Sequence, residues 1–318
     1  MEKLVYQKFV IGCQNINDAL SKGLGGVIFF TKDIQTEEQF KNLIKQIRSK
    51  ALIPPFISID QEGGRVERTE NIRPKRLSAQ YAFQNGIEFL SKQSKEISKE
   101  LSDYGINLNF APCVDVNTNP NNPIIGERAF SNNPEEVIKA AHIFIEASRK
   151  YNIIPCIKHF PGHGDADKDS HIALPVIELS LEEMKNLHIK PFQELISNSA
   201  EMIMVAHLHC KCFDLKPIPT SLSNNAIGYL RKELNYDGVI ITDDMIMNGV
   251  QNYDALEACI MAIKAGVDMF IFRNSDNKTL KLINELVRVV EKDEELKQKV
   301  EYSYSRILRL KRQYGIIS

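Results

Sequence analysis

The chain carries almost no net charge. Its 40 Lys and Arg stand against 41 Asp and Glu, which leaves −1 at pH 7. That balance argues against a nucleic-acid or polyanion binder. Long apolar runs are also missing, so no membrane span is expected. The first eight residues, Met1 to Lys8, hold too short an apolar stretch for a secretory signal. Cysteine is sparse: six lie scattered along 318 residues, and Cys113 and Cys156 sit in or beside apolar runs. Free thiols in a reducing cytoplasm follow from that pattern. Cys210-Lys211-Cys212 is too tight for a typical zinc pair and has no second pair after it, so a structural role is expected. No Gly-rich phosphate loop follows an early strand, which weakens an open doubly wound sheet. No linker, repeat or low-complexity tract interrupts the chain.

Short apolar runs, by contrast, recur throughout. They are Lys8–Gly12, Gly26–Phe30, Phe56–Asp60, Ile106–Phe110, Ile153–His159, Met202–His207, Val239–Asp243 and Met269–Phe272. Amphipathic segments alternate with them, including Thr36–Arg48, Ile87–Tyr104, Pro134–Tyr151, Leu181–Ser197 and Asp254–Gly266. Alternation of strand and helix predicts a parallel sheet. Strands apolar nearly throughout predict a sheet buried on both faces. Eight such units predict a (β/α)8 TIM barrel, a fold that needs roughly 250 residues. The reading is one catalytic domain over residues 1–318, with a final helix at about 294–314.

The ends of these runs carry the chemistry. The third ends at Asp60 and leads into Gln61-Glu62-Gly63-Gly64-Arg65-Val66-Glu67-Arg68. The fourth leads to Asp115 and then to Gly126-Glu127-Arg128. The fifth ends in Lys158-His159, the sixth at His207, the seventh in Thr242-Asp243-Asp244, and the eighth just before Arg273. In a barrel these ends converge on one mouth, where active sites of the fold sit. The densest stretch is Lys158 to His171. It packs three His, three Asp, two Lys, two Gly and one Pro into fourteen positions, a shaped loop rather than a helix or strand.

Carboxylates and imidazoles with little sign of a cofactor suggest hydrolysis of a polar substrate. Glycoside hydrolysis needs a proton donor over the leaving oxygen and a carboxylate at the anomeric carbon. Asp243 suits the carboxylate. Adjacent strand residues point to opposite faces, so Asp244 is expected to turn away and make structural hydrogen bonds. Asp169-Ser170-His171 pairs a carboxylate with an imidazole, which can donate and accept a proton near neutrality. Glu62 is a rival acid, weakened by its glycine neighbours. Lys158 with His159 can be read as a satisfied pair at the barrel rim. His163 is read as either a loop-shaping or a functional residue, and His207 as a packed rim residue.

Lys158-His159-Phe160-Pro161-Gly162-His163-Gly164 followed by Asp169-Ser170-His171 resembles the signature of the bacterial β-N-acetylglucosaminidases of glycoside hydrolase family 3. Asp60-Gln61-Glu62-Gly63-Gly64-Arg65-Val66, Asn109-Phe110-Ala111-Pro112, Gly126-Glu127-Arg128 and Thr242-Asp243-Asp244-Met245 are similar to that family's pattern too. The likeness runs from about Phe9 to Phe272. It implies Asp243 as nucleophile, His171 as acid/base and Asp169 as the group that orients His171. It implies Asp60, Arg68, Arg128, Lys158 and His159 as holders of a terminal N-acetylglucosamine, with Arg68 preferred over Arg65. The implied substrate is N-acetylglucosamine β-1,4-linked to 1,6-anhydro-N-acetylmuramic acid, a muropeptide sugar of cell-wall recycling. No cofactor and no metal are expected. The larger β-glucosidases of the family lack the Asp-Ser-His element and add a second domain. Two other classes compete: a metal-dependent hydrolase built on His159, His163, His171 and Asp243, and a sugar-binding barrel without turnover.

Overall fold

The computed structural model describes residues 1–166 and 174–318. Eight parallel strands close into a barrel. In chain order they are β1 (Phe9–Gly12), β2 (Gly26–Phe29), β3 (Phe56–Ile59), β4 (Leu108–Asn109) and β5 (Ile154–Phe160), then β7 (Met202–Val205), β9 (Val239–Asp244) and β10 (Met269–Phe272). Around the wall the order is β1-β10-β9-β7-β5-β4-β3-β2. Between β5 and β9 lie two short strands outside the wall, β6 (Val176–Ile177) and β8 (His209–Cys210). These pair with each other in parallel. Every barrel strand predicted from the apolar runs is present.

The strands are apolar because both of their faces are covered. One side chain set meets the outer helices through residues such as Phe29, Ile57, Ile203 and Ile240. The other set, including Val10, Phe56, Leu108, Cys156, Met202, Val239 and Met269, fills the barrel interior. The helix Glu294–Gln313 adds Ile307 and Leu310 to that inner cluster and so closes the barrel floor. Two fully buried lysines join it there. Lys311 donates to Gln7 Oε1 at 2.8 Å and to the Pro54 carbonyl at 2.9 Å, with its Nζ over the Phe56 ring. Lys8 donates to the Val267 carbonyl at 3.0 Å and to Ser303 Oγ at 2.9 Å. Helix starts follow side-chain caps. Asn133 accepts from the Glu136 amide ahead of Pro134, and Asp276 from the Thr279 amide.

One expectation needs correction. The amphipathic segment Leu181–Ser197 forms two helices, Leu181–Asn186 and Lys190–Ser197, and not one. Pro191 lies in the first turn of the second helix. It lacks an amide hydrogen and is tolerated only near a helix start.

Two register shifts matter for the site. Ile157 pairs with Ile203 and Phe160 with Val205, so three steps along β5 match two along β7. Likewise Ile241 pairs with Met269 and Asp244 with Ile271, so three steps along β9 match two along β10. Each is a bulge with one extra residue, a device that re-aims side chains. The first contains Lys158-His159 and the second contains Asp243.

Candidate active site

The mouth of the barrel holds a cavity of about 280 Å³. Asp60, Arg68, Arg128, Lys158, His159 and Asp243 all line it. These residues arrive from the ends of β3, β5 and β9 and from the segments after β3 and β4. The two bulges explain how neighbours share one wall. Strict alternation would send Lys158 and His159 to opposite faces, yet both reach the cavity. The same holds for Asp243 and Asp244, which corrects the expectation that only Asp243 faces inward. Asp244 also makes the structural hydrogen bonds expected of it. Its Oδ1 accepts from the amides of Ile246 and Arg273, each at 3.2 Å.

A buried charge network spans the floor of the mouth. Lys158 Nζ lies 2.8 Å from Asp60 Oδ1 and 2.6 Å from Glu62 Oε1. Arg128 grips Glu62 with two bonds of 2.9 Å, the forked geometry that suits a guanidinium. Burial pushes the Glu62 carboxyl up, but Arg128 and Lys158 outweigh it and hold the group well below the usual carboxylate range. Burial lowers Lys158 and Arg128, and their anionic partners more than reverse that, so both stay charged. Glu62 is therefore a fixed anion and a poor proton donor. Its place between two cations was not legible from its glycine neighbours.

The network continues through His159. His159 Nδ1 lies 2.7 Å from Asp115 Oδ2, and Arg128 Nη2 lies 3.3 Å from His159 Nε2. A guanidinium can only donate, so Nε2 accepts and the proton sits on Nδ1, facing the carboxylate. Asp115 is fully buried, and its Oδ1 also accepts from the His163 amide at 2.6 Å. Burial raises Asp115, but His159 and His163 pull it well below the usual range. In the sequence Asp115 is only a charged strand end; in the fold it fixes the tautomer of a cavity residue. Cys113, Asp115 and His159 place three donor atoms within 4.8 Å of one another. They do not fit a metal ion, because both His159 nitrogens are engaged and a guanidinium stands beside the ring. The same engagement removes His159 from the metal-dependent hydrolase reading.

Asp243 stands apart from the Lys158–Glu62–Arg128 network. Its Oδ1 accepts from the Asp244 amide at 2.7 Å. Burial raises its pKa, but His159, His207 and that amide bring it below the ordinary value, so it is ionised. Asp244 differs: burial pushes it up to about 6, against the pull of the Ile246 and Arg273 amides. Arg273 Nη1 lies 3.4 Å from its Oδ2 at the lip of the mouth.

The remaining candidates separate cleanly. Arg68 lines the cavity, while Arg65 donates to the carbonyls of Pro123 and Ile124 and braces the loop after β4. His207 is packed, with Nδ1 2.7 Å from Ser221 Oγ and Nε2 3.1 Å from the Asp244 carbonyl. His163 lines the cavity, and burial lowers it to about 4, so it is neutral there. The start of the histidine-rich loop is clamped by the loop after β4. Asn122 Nδ2 donates to the His163 carbonyl at 2.8 Å and Thr118 Oγ1 to Asp165 at 3.1 Å. The approach is so close at Gly164 that a Cβ would sit 1.7 Å from the Val116 carbonyl oxygen. Gly162, at φ +122°, would place one 2.6 Å from His188. Asp169 and His171 lie outside the described residues.

This geometry has known relatives. The chain is 37% identical over 270 residues to the β-hexosaminidase A of Pseudoalteromonas piscicida, covering 77% of this chain and 45% of that protein. It is 33% identical over 268 residues to the β-hexosaminidase of Methylococcus capsulatus, covering 82% and 79%. Among solved structures, a glycoside hydrolase family 3 β-N-acetylglucosaminidase from Paenibacillus superposes with a TM-score of 0.92 at 30% identity, over 99% of this chain and 63% of that one. The chain thus spans less than half of the first relative and most of the second. Residues 8–310 match the glycosyl hydrolase family 3 N-terminal domain, and the chain belongs to that family.

Proposed function

We propose that this chain is a retaining exo-β-N-acetylglucosaminidase, acting as one catalytic barrel. The observation that carries the reading is Asp243. It is an ionised, half-buried carboxylate at the end of β9, facing a cavity whose other polar walls are cations, their paired anions and the His159 and His163 rings. At about 280 Å³ the cavity falls at the small end of ligand pockets. That suits one terminal sugar ring rather than an internal stretch of polysaccharide. Asp60, Arg68, Arg128, Lys158 and His159 would hold the ring by its hydroxyl and acetamido groups. The names of the relatives, β-hexosaminidase and β-N-acetylglucosaminidase, support the sugar.

In this mechanism Asp243 attacks the anomeric carbon and forms a covalent glycosyl-enzyme. His171, oriented by Asp169, protonates the leaving oxygen. It then takes a proton from the water that releases the sugar. The natural substrate is N-acetylglucosamine β-1,4-linked to 1,6-anhydro-N-acetylmuramic acid, from cell-wall turnover in the cytoplasm. Among the described residues no helix is long and apolar enough to cross a membrane.

The test is chemical trapping joined to leaving-group demand. A 2-fluoro sugar should label Asp243, and label on Asp244 or Glu62 would overturn the nucleophile. His171→Ala should damage cleavage of the disaccharide far more than cleavage of a dinitrophenyl glycoside, whose leaving group needs little protonation. Equal losses on both would move the acid/base elsewhere. Turnover of an aryl β-N-acetylglucosaminide should far exceed that of the matching glucoside. No turnover of either would leave a sugar-binding barrel.

A further inference from the structure

The Cys210-Lys211-Cys212 triplet takes no part in the site above. Cys210 ends β8, and the chain then turns. The amides of Phe213 and Asp214 both donate to the Cys210 carbonyl, at 3.0 and 3.3 Å. That turn brings the two side chains together, with the Sγ atoms 3.2 Å apart. Cys210 is buried in a small apolar cluster with Ile177, Met184 and Leu208. Cys212 is half-buried and reaches the surface. The pair thus joins a protected sulfur to an accessible one at near-reactive distance, in a fixed backbone turn.

We propose that Cys210 and Cys212 form a redox-modification site, a dithiol that a small-molecule disulfide converts to an intraturn disulfide and that a small thiol restores. The accessible Cys212 is the attacking sulfur. The Cys210 thiol hydrogen-bonds to it and lowers its pKa against the effect of burial. The same hydrogen bond, with burial, raises Cys210 and keeps the proton there. Low pKa and access together select the attacking thiol.

The exchange balances in two steps. Cys212 thiolate attacks one sulfur of a small disulfide RS–SR, forming a Cys212–SR bond and releasing RS⁻. Cys210 then gives up its proton and attacks Cys212 Sγ, forming the Sγ–Sγ bond and releasing a second RS⁻. Two protein thiols are oxidised, one RS–SR is reduced, and two RSH leave. The sulfurs must close from 3.2 Å to a bond of about 2.05 Å. The closed loop holds a single intervening residue, so it constrains the unfolded chain very little. The bond is therefore a reversible modification and not a structural staple.

The test uses the full reduced chain and oxidised glutathione. Two of the six thiols should disappear, with an intact mass lower by two hydrogens and no glutathione retained. Trypsin cuts after Lys211, so the oxidised sample alone should give two peptides joined through Cys210 and Cys212. Dithiothreitol should restore both thiols. Cys210→Ser should stop at a stable glutathione adduct on Cys212, and Cys212→Ser should abolish the reaction at this turn. Cys13 is the other half-buried thiol, and burial with Asp33 pushes it up to about 12. Closure of the pair should outrun its modification by about tenfold or more. Persistence of a glutathione adduct on the unaltered chain, or modification of Cys13 ahead of the pair, would overturn the proposal.

Discussion

Asp115 Oδ2 and His159 Nδ1 meet at 2.7 Å in the interior of the mouth, and this bond decides which face of the imidazole Arg128 meets. The proton on Nδ1 belongs to Asp115; the lone pair on Nε2 belongs to Arg128. Whatever the site holds is thus held by a chain of groups whose protonation is set one residue deeper than the cavity wall.

Asp115→Asn tests that chain directly. The amide keeps the shape but can present an N–H toward His159, which would drive the ring to the other tautomer and aim an N–H at Arg128. Loss of a buried charged hydrogen bond is worth about 2 kcal/mol, which is about thirtyfold in kcat/KM. The imidazole tautomer, read by long-range proton–nitrogen correlation, should change in the variant. An unchanged tautomer with full activity would remove Asp115 from this role.

Glu62→Gln should act on stability more than on proton transfer. It leaves Arg128 and Lys158 without the anion they share. Breaking a buried pair costs about 3–5 kcal/mol, so the melting temperature of a chain this long should fall by about 5–7 °C. The ratio of rates on the disaccharide and the dinitrophenyl glycoside should stay as in the parent chain. A selective loss on the disaccharide would restore Glu62 as the acid.

Asp244 gives the site a pH dependence. Its pKa lies at about 6, above the ordinary carboxylate value, mainly through burial. Below pH 6 it is neutral and its attraction for Arg273 is lost; above pH 6 it is charged and the lip is tied down. The kcat/KM of an aryl substrate should therefore fall as pH drops through 6. Asp244→Asn should flatten that step and hold the lower level from pH 5 to 7. A step at 6 that survives in Asp244→Asn would assign it to another group.

Lys8 makes the opposite kind of prediction, for stability. Burial lowers it to about 7, with Asp268 offsetting part of the effect, whereas an unfolded lysine titrates near 10.4. Between those values the unfolded chain binds more protons, so the Lys8 contribution to stability rises with pH. Denaturant midpoints of the parent chain and of Lys8→Met should diverge in the parent's favour from pH 7 to 10. Parallel curves would mean that Lys8 keeps its charge in the folded state.

Most of the barrel was legible because burial on both faces writes itself as apolar runs. The ends of those runs pointed to Asp60, Lys158, His159 and Asp243, since a charged residue closing a buried strand must face the mouth or a partner. What the residues hid were relations that depend on register. A bulge leaves no mark in hydrophobic periodicity, so Asp244 was turned the wrong way. The ties of Glu62 to Arg128 and of Asp115 to His159 join residues 66 and 44 apart in sequence. Only closure of the barrel brings such groups together. Pro191 marks the start of the second helix, a break that the amphipathic pattern of Leu181–Ser197 does not show.

The sealed barrel floor has a use at the bench. Lys8 and Lys311 are fully buried and each spends its hydrogen bonds inside the protein. An amine-reactive acylating reagent can meet them only when the closing helix lifts or the whole chain opens. Their acylation rates, set against those of surface lysines in the same sample, would report how often each site opens. Lys311, carried by the helix itself, would report its detachment. Lys8, on the segment leading into β1, bonds to Ser303 near the middle of that helix and to the Val267 carbonyl, so it would report release of the middle of the helix. A gap between the two rates would show that the end of the helix lifts separately from its middle.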